Sequence, residues 1–425
     1  MTHILDDFNW RGLIAVSTDL DELRKAMDAG PVTYYCGFDP TAPSLHLGNL
    51  VQLLTMRRLQ EAGHRPLALV GGATGLIGDP RPTAERALND PQVVAEWVER
   101  IKAQVAPYLD FTGARSKHAA VMVNNLDWTS QLSAIDLLRD IGKHFRINKM
   151  LSKDAVSARL NSDAGISYTE FSYQVLQGMD FLELYRREGC TLQTGGSDQW
   201  GNLTAGLDLI HRVAGVSAHA LATPLITKAD GTKFGKTESG TVWLEPTMTS
   251  PYAFYQFWIN TDDRDVINYL KIFSFRSRDE IELLAKAVEE RPAAREAQRA
   301  LAEEVTALVH GPEEAAAAIA ASAALFGRGE LISLPAATLE AALRETGLAS
   351  LPASPEPTVV DAFVASGLVE SRSAARRAIA EGGAYINNAK ISDVDAVLVA
   401  GTALHGRWFV LRRGKRSVAG LELSR

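Results

Sequence analysis

The sequence predicts an α/β first half built on a parallel sheet, then an all-α domain, then a small α+β unit at the carboxyl terminus. Three observations carry this reading. Between residue 33 and about residue 245, short apolar β-rich runs alternate with amphipathic helical patterns, the rhythm of a parallel sheet covered on both faces. From about Thr249 to Phe326 the pattern turns almost purely helical, with EEVTALVHG and the alanine-rich EEAAAAIAASAALF. Beyond Val359 a compact mixture of helix and strand patterns begins. Boundaries follow at 1–245, 246–335 and 358–425. Residues 336–357 are expected to be a linker, because TGLASLPASPEPT holds three prolines and little that could pack.

The elements can be justified in order. TYYCGF, Thr33 to Phe38, reads as a strand, followed by a turn-rich stretch with Pro40 and Pro43. A helix pattern opens near His46 and carries Leu47, Leu50, Leu53, Leu54 and Leu59 at helical spacing. PLALVGG and AAVMVNN are further strands, with helices such as Leu50–Ala62 and Val93–Leu109 between them. LVGGATGLIGDP, Leu69 to Pro80, follows a strand and is glycine-rich. It lacks the Gly-Lys-Ser/Thr ending of a P-loop, so its glycines suit close backbone approach to a ligand, with Asp79 at the rim. In TEFSYQVLQGMDF, Tyr173, Gln177 and Asp180 stand at i, i+4 and i+7 and share one helix face. A face that should be apolar but carries Tyr, Gln and Asp must be solvated or bind something polar. LQTGGSDQWGN, Gln193 to Asn202, is another polar, glycine-rich segment at the end of a strand.

Composition narrows the function classes. Hydrophobic residues make up 46% and charged residues 22%, the balance of a soluble globular chain, and no apolar run approaches the ~20 residues of a membrane span. Asp6, Asp7 and Arg11 near the start do not form a signal pattern, so a cytoplasmic protein is expected. Cys36 and Cys190 are single and distant, which indicates neither a disulfide framework nor a cysteine-held zinc. A net charge of −7 argues against indiscriminate coating of nucleic acid. Yet residues 356–425 hold ten Lys and Arg against seven Asp and Glu, a basic end on an acidic chain.

Two distant segments point to a nucleotide. A histidine and a glycine at a helix N-terminus, His46 and Gly48, offer first-turn N–H groups and the positive helix end to an anion. Taken alone, HLG is equally well read as an ordinary core turn. KFGKT, Lys233 to Thr237, lies in a Gly-bearing loop whose two lysines, three apart, suit a polyphosphate clamp. Together the two segments resemble the paired nucleotide-binding signatures of class I aminoacyl-tRNA synthetases.

The resemblance extends over almost the whole chain to the bacterial tyrosyl-tRNA synthetases, through YYCGFDPTAPSLHLGN, GGATGLIGDP, TEFSYQVLQGMDF, GGSDQWGN, KADGTKFGKTESGT and SPYAFYQFWIN. It implies a Rossmann-like catalytic sheet, an α-helical domain on the anticodon side, and the partners ATP, L-tyrosine and the tyrosine tRNA. It places the phenol oxygen of tyrosine between Tyr35 and Asp180. The α-ammonium group would meet Asp79, Tyr173 and Gln177, with Gln199 near the carboxylate. Thr41, His46 and Asn49 would line the phosphate path, and Cys36, Gly37, Asp39, Gly48, Gly196 and Asp198 would border the nucleotide. Lys233, Lys236 and Thr237 would grip the pyrophosphate. Mg²⁺ would arrive with ATP, and no protein-held metal is expected. A homodimer joined through helices between about Val121 and Leu160 is likewise implied.

Three departures from the family pattern stand out. Asn49 replaces a second histidine, KFGKT replaces Lys-Met-Ser-Lys-Ser, and the loop after Asp79-Pro80 reads RPTAER, with Arg81 and Arg86 as its cations.

Residues 359–425 resemble a small RNA-binding module shared by a ribosomal small-subunit protein and several RNA-modifying enzymes, through FVASGLVESRSAARRAIAEGGAYINNAKIS. Arg372, Arg376 and Arg377 on one helix and Lys390 after the turn Asn387-Asn388 are the expected RNA contacts; Ala389 stands where such modules often have glycine. Three rival readings are disfavoured. A nucleotidyltransferase with a similar first signature would lack the KFGKT loop, the helical domain and the RNA module. The polar face around Tyr173 argues against an RNA-binding protein with an incidental first domain. By the resemblance, Tyr35 and Asp180 supply a phenol-reading pair that a tryptophanyl enzyme would not need.

Overall fold

The computed structural model describes residues 3–81, 84–163, 165–232, 234–237, 240–415 and 417–424. The chain divides into two compact units: Met1–Glu245 with Asn268–Arg276, and Pro246–Ile267 with Ser277–Arg425.

Among the described residues the main sheet of the first unit has six strands: β1 (Val16–Ser17), β2 (Thr33–Phe38), β3 (Arg65–Val70), β4 (Val121–Asn124), β5 (Leu192–Gly196) and β6 (His219–Thr223). Their order is β1-β6-β5-β2-β3-β4. β6 through β4 are mutually parallel, and β1 runs antiparallel to β6. The expected runs TYYCGF, PLALVGG and AAVMVNN are β2, β3 and β4. β6, HALAT, was not anticipated, because its alanines and leucine favour helix over strand and only its buried position in the sheet makes it one.

Connectivity sets the place of the site. From β2 the chain moves outward to β3 and β4, then returns to β5 and β6 on the other side of β2. The order therefore reverses between β2 and β5, and an open α/β sheet binds ligands in the crevice beyond the carboxyl ends at such a point. The Tyr168–Glu188 helix packs Leu176, Met179, Phe181 and Leu184 into the core with Leu67 and Leu69 of β3 and Leu209 and Ile210 of the Trp200–Ala214 helix. Ser167 caps its start and Gly189, in the left-handed conformation, ends it. A short ribbon, β7 (Lys236–Thr237) and β8 (Gly240–Thr241), completes this unit.

The second unit begins with helices Pro251–Ile259, Arg278–Glu290, Glu296–His310 and Pro312–Ala324. The alanine-rich helix buries Ala315, Ala318, Ala321 and Ala324, a three-residue repeat that lets neighbours approach closely. Residues 336–357 differ from the expected linker. They form the Ala336–Thr346 helix and β9 (Leu348–Pro352), which pairs in parallel with β13 (Ser417–Ser424) from Gly420↔Leu348 to Ser424↔Pro352. With β10 (Ala384–Ile386), β11 (Ala389–Lys390) and β12 (Trp408–Arg413) they make a five-stranded sheet ordered β11-β10-β12-β13-β9. Proline is tolerated here because β9 is an edge strand. Apolar partners for it lie some seventy residues later in the chain, so the local composition could not reveal it.

Candidate active site

The site is built where β2 ends. Gly37 is exposed although β2 has a neighbour on each side, so the crevice opens at this point. Asp39, just beyond the strand, accepts hydrogen bonds from the Tyr173 hydroxyl and from Thr74 Oγ1, both at 2.6 Å. Gly71 makes room for this arrangement, since a Cβ there would fall on Asp39 Oδ1 and Thr74 Oγ1. Burial holds the Asp39 carboxyl above its usual range, and the bonds from Thr74 and Tyr173 pull the other way.

The hydrogen bonds continue across the sheet. Asn125 Nδ2 donates to Thr74 Oγ1 and to Asp180 Oδ2, each at 2.9 Å. The Asn125 oxygen accepts from the Ala73 N–H at 2.7 Å, which fixes the amide orientation. Trp128 Nε1 donates to Asp180 Oδ1 at 2.9 Å. Asp180 is only 2% exposed, and burial pushes its pKa up to about 7 against the bonds from Asn125 and Trp128. Beside it Tyr35, 1% exposed, packs on Phe181 with ring centroids 5.2 Å apart. The Tyr35 hydroxyl is buried with no hydrogen-bond partner, and burial together with the Asp180 charge raises its pKa strongly. Gln177, one helical turn before Asp180, likewise carries a buried Oε1 without a partner. A hydroxyl and an amide oxygen left this way favour a polar ligand that completes them.

A second cluster surrounds Asp79. Its Oδ1 accepts from Lys153 Nζ at 2.9 Å and from Asn202 Nδ2 at 3.3 Å, and its Oδ2 accepts from Gln199 Nε2 at 3.0 Å. Asn202 is itself oriented by Lys153 and by Gln199 Oε1, at 2.9 and 2.8 Å. Arg86 Nε donates to the Asp79 carbonyl at 2.6 Å, so that cation of the variant loop stands at the site. Gln199, expected near a ligand carboxylate, donates to Asp79, and Tyr173, expected at an ammonium, donates a hydrogen bond from its hydroxyl to Asp39. Cys36 is buried in β2, its thiol pushed up to about 12 by burial; Gly196 ends β5, and Asp198 is exposed beside it.

The first signature has the form of a capped helix. The helix begins at Leu47, with His46 as its N-cap. His46 Nδ1 accepts from the Gly48 N–H at 3.0 Å, while the His46 N–H donates to Asn49 Oδ1 at 3.1 Å. A Cβ on Gly48 would lie 2.8 Å from His46 Cε1, so only glycine lets the ring fold over the first turn. His46, Gly48 and Thr41 are exposed, and the helix end faces outward. Lys233 lies outside the described residues, as do the side chains of Lys236 and Thr237.

In the carboxyl-terminal unit, Arg376 and Arg377 are exposed on the Arg372–Ala380 helix, whereas Arg372 is paired with Asp361. Lys390 is exposed after the Asn387-Asn388 turn, whose residues have φ of 47° and 65°. Both are left-handed, the geometry of a type I′ hairpin that Asn tolerates. Arg412 stacks on Tyr385 at 3.9 Å.

Sequence reasoning missed Asn125, Trp128 and Lys153, and did not single out Thr74 or Asn202 inside the runs it quoted. None of the first three belongs to a motif; the only available signal was a polar pair, Asn124 and Asn125, at the carboxyl end of a strand. Among the described residues no group of three or more His, Cys, Asp or Glu is placed to hold a metal ion, and no helix is long and apolar enough to cross a membrane.

Comparison with known proteins gives concordant matches. Residues 27–327 match the family "tRNA synthetases class I (W and Y)", and residues 341–419 match "Tyrosine--tRNA ligase SYY-like C-terminal domain". The chain is 69% identical to a tyrosine–tRNA ligase of Streptomyces avermitilis over the full length of both, and 68% identical to one of Acidothermus cellulolyticus over 99% of each. Among solved structures it is similar to a C-terminally truncated mitochondrial tyrosyl-tRNA synthetase of Coccidioides posadasii, with a TM-score of 0.65 and 30% identity over 75% of this chain and 91% of that one.

Proposed function

The chain belongs to the class I tRNA synthetases of the tryptophan and tyrosine group, and from that premise we propose how its site joins tyrosine to tRNA. Its activity is that of a tyrosine–tRNA ligase. Tyrosine and ATP give tyrosyl-adenylate and pyrophosphate, and tyrosine then passes to the 3′-terminal adenosine of its tRNA. The nucleotidyltransferase and incidental-domain readings fall with the full-length match, and the relatives' specificity decides between tyrosine and tryptophan.

The substrate phenol sits between Tyr35 and Asp180. The observation that carries this is the partnerless Tyr35 hydroxyl beside an Asp180 carboxylate held rigidly by Asn125 and Trp128. At the other end the α-ammonium has three acceptors along the Tyr168–Glu188 helix and the loop after β3: Gln177 Oε1, the Tyr173 oxygen and Asp79. The tyrosine carboxylate oxygen bonds to the α-phosphorus as the bond to pyrophosphate breaks. A carboxylate already carries its electron pair, so no general base is needed, and catalysis is positioning plus stabilisation of phosphate charge. Thr41, His46 and Asn49 line the phosphate path at the helix N-terminus, Cys36, Gly196 and Asp198 border the ribose, Gly37, Asp39 and Gly48 contact the nucleotide, and Lys233, Lys236 and Thr237 clamp the pyrophosphate. Mg²⁺ belongs to the nucleotide and arrives on its phosphates.

The division of labour follows the chain. The first unit activates tyrosine, and the exposed Arg376, Arg377 and Lys390 of the carboxyl-terminal sheet domain contact tRNA, with Arg372 contributing through its pairing with Asp361. The enzyme works in the cytoplasm as a homodimer. Ile135, Leu138, Ile147 and Leu160, 67%, 55%, 58% and 47% exposed, put four large apolar side chains at the surface of one short stretch of the chain, which supports an interface there. Ile135→Asp with Leu138→Asp should yield monomers by light scattering.

The test of the whole reading is ATP–pyrophosphate exchange across the amino acids. Tyrosine should dominate, and Tyr35→Phe should narrow the tyrosine/phenylalanine ratio mainly by losing tyrosine activity. A site that hydrogen-bonds a hydroxyl rejects its absence by ~10⁴–10⁵, a magnitude drawn from a tyrosyl enzyme. An unchanged ratio removes Tyr35 from the phenol site.

A further inference from the structure

Phe234 is the one large apolar side chain between Thr227 and Thr241. Its ring lies 4.9 Å from that of Tyr269, tilted by 59°, and 5.4 Å from that of Phe273, stacked at 24°. Tyr269 and Phe273 stand four apart on one face of the Asp263–Phe273 helix and are 2% and 0% exposed. They form a platform that is itself held down. Arg11 donates to the carbonyls of Lys271, Ser274 and Arg276, and Arg58 donates to that of Ser274. Tyr269 also donates its hydroxyl to the Thr227 carbonyl at 3.2 Å, so the same side chain holds the root of the loop and its middle.

The two sides of Phe234 are fixed differently. Before it, Gly231 donates to the Lys228 carbonyl at 2.9 Å and Lys228 to that of Thr232 at 3.1 Å, a small closed turn. After it, Gly235 takes a φ of +72° and its carbonyl accepts from Val242 at 2.9 Å. A Cβ on Gly235 would lie 3.4 Å from Leu47 Cβ, so the chain leaving Phe234 runs past the first turn of the helix that His46 caps. The aromatic contact thus sits between the two lysines in sequence and beside the phosphate end of the site in space.

We propose that Phe234 is the positioning residue of this loop: its ring, seated on Tyr269 and Phe273, sets the place from which Lys233 and Lys236 reach the departing pyrophosphate. The inference rests on the clamp reading above. A glycine-bearing chain has many conformations, and two aromatic contacts restrict it to those that carry Gly235 past the first turn of the helix that His46 caps. Phe234 touches no reacting atom; it acts through its neighbours.

Single-turnover adenylate formation and equilibrium tyrosine binding in the full-length chain test it. Phe234→Ala should slow adenylate formation by roughly ten- to a hundredfold while tyrosine affinity stays constant, since two aromatic pairs are removed. Phe234→Met, which keeps a large apolar side chain, should recover most of the rate. In a Lys233→Ala/Lys236→Ala background Phe234→Ala should change the rate by less than about twofold, because the groups it positions are gone. A full-rate Phe234→Ala, or the same slowing with and without the lysines, overturns the positioning role while leaving the clamp intact. If the lysine double variant alone forms adenylate at the normal rate, the clamp reading fails, and the positioning role with it.

Discussion

Asp180 shows how one residue's surroundings set both its charge and its use. Its oxygens each accept one fixed donor, Asn125 and Trp128, and those bonds favour the carboxylate, while burial opposes it and leaves the pKa at about 7. A phenol hydroxyl donating to this group stabilises its charged form, so tyrosine binding lowers the pKa and releases a proton. Affinity should therefore rise with pH below about 7 and level off above it. Tyrosine dissociation constants measured from about pH 6 to 8 check the sign. Asp180→Asn should bind weakly with a flat profile, and a flat profile in the unmodified chain would remove Asp180 from the phenol site. Asp180 drew attention because it lies on a helix face of unusual polarity for a buried element, whereas Tyr35, in an apolar strand, was reached only through the family resemblance. Asn125 and Trp128 were not, because they approach Asp180 only through folding, from more than fifty residues away, and no spacing rule connects them.

At the scale of the element, the Leu47–Glu61 helix combines two functions that can be separated. Asn49 closes a capping box by accepting from the His46 N–H through its oxygen, which leaves its amide nitrogen to donate. Asn49→Ala loses both and should cost about 1 kcal/mol of stability, read from denaturant midpoints, along with slower adenylate formation. Asn49→Asp keeps the acceptor and places a negative charge at the positive helix end, so stability should be retained. The same charge repels phosphate, so adenylate formation should still fall. If both variants lose stability in proportion to activity, Asn49 is a cap and nothing more. Helical and strand periodicity placed this helix and the polar face of the Tyr168–Glu188 helix correctly. Where periodicity failed, as at β6 and β9, the residues had weak or contrary propensities and the structure came from long-range pairing, which sequence spacing does not report.

For the whole molecule, the pairing of β9 with β13 changes what a truncation can show. Removing residues 356–425 takes Leu404, Trp408 and Val410 from a cluster they share with Tyr252, Ala321, Leu325, Leu339 and Leu343, and strips β9 of its partner. The prolines of residues 346–358 suggested a tail that packs on little else, and the buried Trp408 contradicts that. The truncated chain should keep tyrosine-dependent ATP–pyrophosphate exchange, because that site lies within the first unit. It should also expose apolar surface in the second unit, seen as dye binding and a lowered melting transition. A failure of tRNA charging in that chain would thus mix unfolding with the removal of the RNA-binding cations. Charge reversal separates them. Arg372 is a poor choice, since glutamate there would face Asp361, but Arg376 and Arg377 are exposed and free of that conflict. Arg376→Glu with Arg377→Glu should leave the melting transition and the exchange reaction unchanged. It should weaken tRNA binding and flatten its dependence on salt by about one unit of slope for each phosphate no longer neutralised. Unaltered tRNA affinity across salt concentrations in this variant would show that the helix face carrying these arginines does not meet the nucleic acid.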